Sequence, residues 1–223
     1  MLKYLETVHL EDMPYVGAKT VEHCIVYEGP VFFNRQYRTP HVLKDDIQKE
    51  VDRLIKEDLI EGAESEFNNA YLPVAKRDLA TGKLKLRLVL DLRKFNENIA
   101  VDRLPISDIN DLLNELHGAK YLTVLDAASG YLQISLTKDS RKYTAFRHHN
   151  NAYQYKRMCF GLGSAPSTWI RFMNLVTSGL SNVFCYMDDI LIYSNTMEEH
   201  LKTLNLVLKR FSYHGLELSL KIC

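Results

Sequence analysis

Two apolar runs that meet at a pair of acids constrain this chain more than any other feature. Val183, Phe184 and Cys185 lead into Tyr186-Met187-Asp188-Asp189, and Ile190, Leu191, Ile192 and Tyr193 follow. Short runs of strand formers joined by turn-compatible residues predict a buried β-hairpin with both carboxylates at its tip. Hairpin tips ordinarily carry Asn-Gly or Gly, and presenting two adjacent acids beside a buried strand pair is destabilising. A bound cation would offset that cost.

A related acid lies upstream. Tyr121 to Leu125 reads as a strand that ends at Asp126. After the small-residue turn Ala127-Ala128-Ser129-Gly130, Tyr131 to Leu136 predicts another strand. One acid at a strand end and two at a hairpin tip, gathered in one sheet, suit Mg²⁺, which takes hard oxygen ligands. Two such ions ~3.5–4 Å apart serve nucleotidyl transfer. One lowers the pKa of an attacking 3′-hydroxyl, both stabilise charge on phosphorus, and the other steadies the leaving pyrophosphate. Asp-Asp is also ordinary turn chemistry, and acids at strand ends also suit a phospho-acceptor pocket. The acids alone leave these alternatives open.

The neighbouring motifs narrow them. In chain order they are Arg35-Gln36-Tyr37-Arg38 with Pro40, Arg87-Leu88-Val89-Leu90-Asp91-Leu92-Arg93-Lys94-Phe95-Asn96, and Asp102-Arg103-Leu104-Pro105-Ile106. Then come Leu125-Asp126-Ala127-Ala128-Ser129-Gly130-Tyr131, Phe160-Gly161-Leu162-Gly163-Ser164-Ala165-Pro166 and Tyr186-Met187-Asp188-Asp189. From about His23 to Cys223 this order and spacing resemble the reverse transcriptases of gypsy-like long-terminal-repeat retrotransposons. The resemblance implies an α+β polymerase palm, its antiparallel sheet carrying the acids and packed on helices, together with a fingers subdomain and no thumb. It implies an N-terminal extension over 1–40, fingers over about 41–101 and 134–164, and palm over about 102–133 and 165–223.

The resemblance also implies roles. Asp126, Asp188 and Asp189 match the catalytic, metal-binding triad, with Mg²⁺ or Mn²⁺ as cofactor. Arg87 matches an arginine that lies against the incoming triphosphate, where a planar guanidinium fork pairs with phosphate oxygens; without the motif it reads as a solvated strand charge. Tyr131 matches the ring that packs under the deoxyribose and excludes a 2′-hydroxyl; alone it reads as an ordinary strand aromatic. Ala127, Phe160 and Gly161 complete the nucleotide pocket, the glycine because backbone without a Cβ approaches closely. Lys76, Arg93 and Met187 fall to the nucleic acid. The implied partners are an RNA or DNA template with its primer, dNTPs, and the thumb and ribonuclease H parts of a larger polyprotein. The implied setting is a virus-like particle in the cytoplasm, or the nucleus. The chain departs from the family pattern at Leu86, at Glu66-Phe67, at Leu220-Lys221-Ile222-Cys223, and at Cys159, where a proline is usual.

Composition agrees without deciding. The chain has 223 residues, 46% of them apolar, and a formal net charge of zero, so basic patches must be sought locally. Lys76, Arg77, Lys83, Lys85, Arg87, Arg93, Lys94 and Arg103 face only Asp78, Asp91, Glu97 and Asp102 in the same stretch, which suits a phosphate backbone. No apolar run is long enough to span a bilayer, so no membrane partner is expected. Cys24, Cys159, Cys185 and Cys223 lack paired spacing, which supports neither a zinc site nor a disulfide framework.

Helices are predicted from Thr39-Pro40 to Gly62, from Ser107 to Gly118, from Pro166 to about Leu180, and from Thr196 to Gly215, the last opened by a Thr196/Glu199 capping box. His148, His149 and His200 read as surface or turn residues, and Trp169 as an apolar anchor. The first 20–40 residues carry few patterns and read as a loosely held extension. Besides a polymerase, a non-catalytic nucleic-acid-binding remnant and a scaffold protein remain as readings.

Overall fold

The computed structural model describes residues 2–10, 13–77, 84–100, 102, 104 and 116–219. The helix expected over Ser107–Gly118, except its last three positions, which form a turn, and the end of the chain after Ser219 lie outside the described residues. A short 3₁₀ helix, Leu2–Thr7, precedes the two-residue strand β1 (Glu22–His23). Helix α1 (Lys44–Lys56) buries Ile47, Val51 and Leu54, which share one face at helical spacing. Asp45 and Asp46 open it and Arg53 and Lys56 close it, matching the helix dipole at both ends. The helix stops short of Gly62. Asp58 turns left-handed at φ 57°, and the Leu59 amide donates back to Leu54 O at 2.9 Å, a closed C-terminal turn. Gly62 instead ends strand β2 (Ile60–Gly62).

Strands β3 (Tyr71–Arg77) and β4 (Leu84–Leu90) pair antiparallel as a long hairpin, and the one-turn helix α2 (Arg93–Asn96) follows. Next come β5 (Tyr121–Asp126), β6 (Ser135–Leu136), the short helix α3 (Lys138–Arg141), β7 (Phe146–His148) and β8 (Asn151–Tyr155). The expected strand from Tyr131 is a correction. Ser129 takes φ 47°, and Gly130–Gln133 wind into a 3₁₀ turn, leaving only Ser135–Leu136 extended. Helix α4 (Ala165–Thr177), strands β9 (Val183–Tyr186) and β10 (Asp189–Ser194), and helix α5 (Met197–His214) complete the order. Helix α4 ends three residues before Leu180.

Three strands form the sheet that matters most, in the order β5-β10-β9, all antiparallel. One face buries Leu125, Ile190 and Ile192 under Trp169, Phe172, Val207 and Phe211 of α4 and α5. Period-2 alternation sends Leu122, Val124 and Asp126 to the other face, where Leu122 and Val124 stay exposed. A second antiparallel sheet runs β2-β8-β7. This mixture is the α+β class expected.

Helix α5 is capped as read, with one difference. Thr196 Oγ1 accepts from the Glu199 amide at 3.3 Å, but the Glu199 carboxylate accepts from Asn182 Nδ2 at 2.8 Å instead of closing the box. His149 is exposed in a turn as read, but His148 and His200 need correction. His148 is buried between Tyr71 Oη (2.9 Å) and Gln48 Oε1 (3.1 Å), and its ring lies 4.2 Å from that of His149. His200 is buried against Thr123 Oγ1 at 2.7 Å and Ser194 Oγ at 3.3 Å.

The N-terminal segment is not loosely held. Strand β1 pairs parallel with β6, the Ala18 amide donates to Gln133 O at 2.7 Å, and Tyr15, His23 and Ile25 are buried.

Candidate active site

Asp126 ends β5 and Asp189 begins β10, directly opposite each other in the register. Opposite residues of an antiparallel pair project from one face, so both acids stand at the end of the exposed Leu122–Val124 stripe. Asp189 is therefore a strand residue; the turn itself is Met187-Asp188. Met187 takes φ 53°, and two hydrogen bonds hold this strained turn. The Trp169 indole N–H donates to Met187 O at 2.8 Å, and the Ala127 amide donates to Asp188 O at 2.9 Å. Gly130 closes the other side. A Cβ there would lie 2.5 Å from Asp188 Oδ1 and 2.7 Å from the Trp169 ring. The side chain of Asp188 fits because residue 130 has none.

Burial, then the charges of Asp126 and Asp189, push the Asp188 pKa from 3.8 up to about 6. Three carboxylates thus share one field. Among the described residues, no three acid, imidazole or thiol groups converge into a ready cation cage. Like charges in one field repel, and a divalent cation bound among them would offset that repulsion. The donor set is all carboxylate, which suits a hard cation.

The remaining side chains line up beside the acids. Tyr131 sits in the 3₁₀ turn four residues after Ala127. Its ring lies 6.2 Å from Phe160 and 6.4 Å, edge-on, from Trp169. Burial, and then the Asp188 charge, raise its hydroxyl pKa. The Arg87 guanidinium, on β4, stands 5.5 Å over the Phe160 ring, a cation–π contact that places a positive charge next to the aromatic wall. Gly161 has φ 90° and passes so close to the hairpin that a Cβ would meet Leu90 O at 3.2 Å. Cys159, which stands where a proline is usual, is buried, and burial lifts its thiol to about 12.

Asn96 clamps the loop, a role its place in the motif does not reveal. Its Nδ2 donates to Gly161 O at 2.8 Å and its Oδ1 accepts from the Gly163 amide at 2.9 Å. Ala127 is buried and contributes backbone. Met187 is exposed at the turn.

Two of the three residues expected at nucleic acid sit in and just after the β3–β4 hairpin. Lys76 pairs with Lys85 along the hairpin, and its side chain lies outside the described residues. Arg93 grips Asp91 through Nε at 2.9 Å and a terminal nitrogen at 2.8 Å, while Tyr37 Oη donates to the same carboxylate at 2.5 Å. These bonds hold the Asp91 carboxyl well below the usual range. The Arg93 fork is thus occupied on one edge.

The family model for reverse transcriptase (RNA-dependent DNA polymerase) matches residues 74–223. The chain belongs to the reverse transcriptase family. The Pol polyprotein of the Drosophila melanogaster transposon 412 is 36% identical over 99% of this chain, and that of the gypsy transposon is 34% identical over 89%. This chain spans only 18% and 19% of those two relatives. Among solved structures, a foamy viral protease–reverse transcriptase in complex with double-stranded DNA superposes with a TM-score of 0.87 at 28% identity, covering 98% of this chain and 38% of that one. The same viral enzyme in complex with an RNA/DNA hybrid gives 0.87 at 27% identity, over 98% and 29%. The reverse transcriptase sheet β5-β10-β9 is the palm, and its exposed face carries the acids.

Proposed function

We propose that this chain is the fingers-and-palm part of an RNA-directed DNA polymerase that adds dNTPs to a primer 3′ end on an RNA or DNA template. One observation carries the reading: Asp126 and Asp189 face each other in register, with Asp188 in the turn between β9 and β10, beside the row Trp169–Tyr131–Phe160–Arg87. Acids to hold cations, a sugar-sized aromatic surface and a phosphate-binding guanidinium are the groups that a deoxynucleoside triphosphate with its metal ions calls for.

In the reaction the primer 3′-oxygen bonds to the α-phosphorus, and the bond from that phosphorus to pyrophosphate breaks. Asp126, Asp188 and Asp189 would hold Mg²⁺, or Mn²⁺ in its place, which supplies positive charge at the attacking hydroxyl and the triphosphate. Arg87 pairs with the triphosphate oxygens. Tyr131 bounds the sugar, Phe160 and the bare Gly161 backbone wall the base, and the Ala127 backbone fixes the turn. Met187 meets the primer–template end. Arg93 contacts the template backbone with the edge that Asp91 leaves open, and Lys76 adds charge along the hairpin. Holding the primer in line is worth several orders of magnitude in rate, and the rest of a longer polyprotein would contribute to it.

The test is dNTP incorporation on an RNA template with an annealed DNA primer and Mg²⁺, beside an Asp126→Asn control. Extension by the native chain and none by the control supports the reading. Duplex binding with no extension under any metal would leave a non-catalytic nucleic-acid-binding protein instead.

Tyr131→Val puts a small β-branched side chain in place of the ring. It is expected to raise the efficiency of rNTP use relative to dNTP by about a hundredfold, since a clash with one added hydroxyl is what the ring supplies. Single-nucleotide incorporation with each sugar measures this, and an unchanged ratio would remove Tyr131 from sugar selection.

A further inference from the structure

The segment from Met13 to Ile25 touches the candidate site at two places. Tyr15 is buried, and its hydroxyl interacts with the side chain of Ser129, inside the turn between Asp126 and Tyr131. Ten residues before Phe33, His23 makes the second contact. Its Nδ1 lies 2.8 Å from Thr168 Oγ1 and its Nε2 lies 3.0 Å from Ser164 Oγ. All three residues are buried. Burial pushes the His23 pKa down to about 4, so the ring is neutral at physiological pH, with one nitrogen donating and the other accepting.

Ser164 and Thr168 occupy a decisive stretch. Ser164 immediately precedes α4, and Thr168 lies one turn in. Just upstream is the Phe160–Gly163 loop, clamped from the other side by Asn96. Just downstream is Trp169, which holds the Met187-Asp188 turn and abuts Tyr131. The stretch from Phe160 to Trp169 is therefore pinned twice by Asn96 and twice by His23, and it joins the aromatic wall of the nucleotide pocket to the acid turn. A leucine would fill the volume of His23 equally well. It would leave two buried hydroxyls without partners, and such groups move to find new ones.

We infer that His23 is a positioning residue of the nucleotide pocket: it fixes the first turn of α4 and thereby the mutual placement of Phe160, Tyr131 and Trp169. This rests on the polymerase reading above. It assigns to the N-terminal segment a part in nucleotide affinity and not only in stability.

Trp169 is the single tryptophan of the chain, so its fluorescence reports on this site alone. The experiment titrates dTTP with Mg²⁺ into the native chain, His23→Leu, His23→Gln and Thr168→Val, and separately measures Mn²⁺ binding and thermal unfolding for each. His23→Leu and Thr168→Val are expected to weaken dTTP about tenfold, the equivalent of one lost buried hydrogen bond. Mn²⁺ affinity should stay within about twofold, and His23→Gln, which keeps a donor and an acceptor, should recover part of the loss. Unchanged dTTP affinity in the folded variants overturns the inference. So does a parallel loss of Mn²⁺ affinity, dTTP affinity and melting temperature, which is the mark of a purely structural residue. If His23→Leu does not fold, Thr168→Val decides by the same criteria. A native chain that binds Mn²⁺ but not dTTP overturns the polymerase reading, and this inference with it.

Discussion

An Asp188→Asn variant is expected to lose nucleotide incorporation and, above pH 6, to melt at a higher temperature than the native protein. The two effects have one cause. Asp188 is held by Gly130, Ala127 and the Met187 turn in a half-buried position beside Asp126 and Asp189, and its pKa stands at about 6 against 3.8 for an ordinary aspartate. The folded state therefore binds this proton more tightly than the unfolded state. Ionising Asp188 costs the fold nothing below pH 4, progressively more between 4 and 6, and its full amount above 6. A gap of that size corresponds to about 3 kcal/mol, which partial exposure to solvent reduces to about 1–2 kcal/mol. An amide escapes the cost, so the gain of the variant should appear above pH 6 and vanish near pH 4. At this chain length it amounts to several degrees, at about 2–4 °C per kcal/mol. Mg²⁺ should raise the native melting temperature at pH 8 and move that of the variant little. Incorporation should fall by about a thousandfold or more, since a neutral side chain supplies no charge to hold the cation. Thermal unfolding from pH 4 to pH 8, with and without Mg²⁺, checks the stability half. A variant that melts lower at pH 8, or whose gain is the same at pH 4, contradicts the electrostatic account of this site.

That trade between stability and chemistry is what made the acids legible. Asp188 and Asp189 stand out in the sequence because they interrupt two strand-forming runs where glycine or asparagine would serve better, and the β9–β10 hairpin is found there. Asp126 is legible for the same reason, as the polar end of an apolar strand. Local pattern failed where a turn overrode propensity. Tyr131-Leu132-Gln133-Ile134 is a good strand by composition, but the left-handed Ser129 and the tight Gly130 send it into a 3₁₀ turn, which is what brings Tyr131 beside Asp188. It failed wholly for side chains whose partners are distant in sequence. His23 meets Ser164 across 141 residues, and Gln133 meets Glu217 across 84. His200 looked like a surface residue because its helix is amphipathic; the Thr123 and Ser194 hydroxyls that bury it belong to the palm sheet. The motifs named the candidate site residues. The residues that hold them in place emerged only from the fold.

Gly130→Ala is the sharpest test of that holding. The backbone at Gly130 does not lie in the left-handed region, so alanine is conformationally acceptable and any effect comes from its methyl group. That methyl would lie 2.5 Å from Asp188 Oδ1 and 2.7 and 2.8 Å from two ring carbons of Trp169. Trp169 has no room to retreat. It is 1% exposed, and its indole N–H is committed to Met187 O. The strain must therefore move Asp188 and the turn that carries it. Overpacking of this kind costs about 1–3 kcal/mol, and a displacement near 1 Å of a group that holds the reacting atoms costs about a hundredfold in rate. Gly62→Ala is the matched control, because a Cβ on Gly62 would meet nothing within 4 Å; it should change stability by no more than about 0.5 kcal/mol and leave incorporation alone. Comparing melting temperature and incorporation rate for the two variants separates a local steric effect from a general effect of adding a methyl group. Should Gly130→Ala keep native activity, the Asp188 turn has freedom that the packing around it denies, and the acids are then placed by bound substrate and cation and not by the fold.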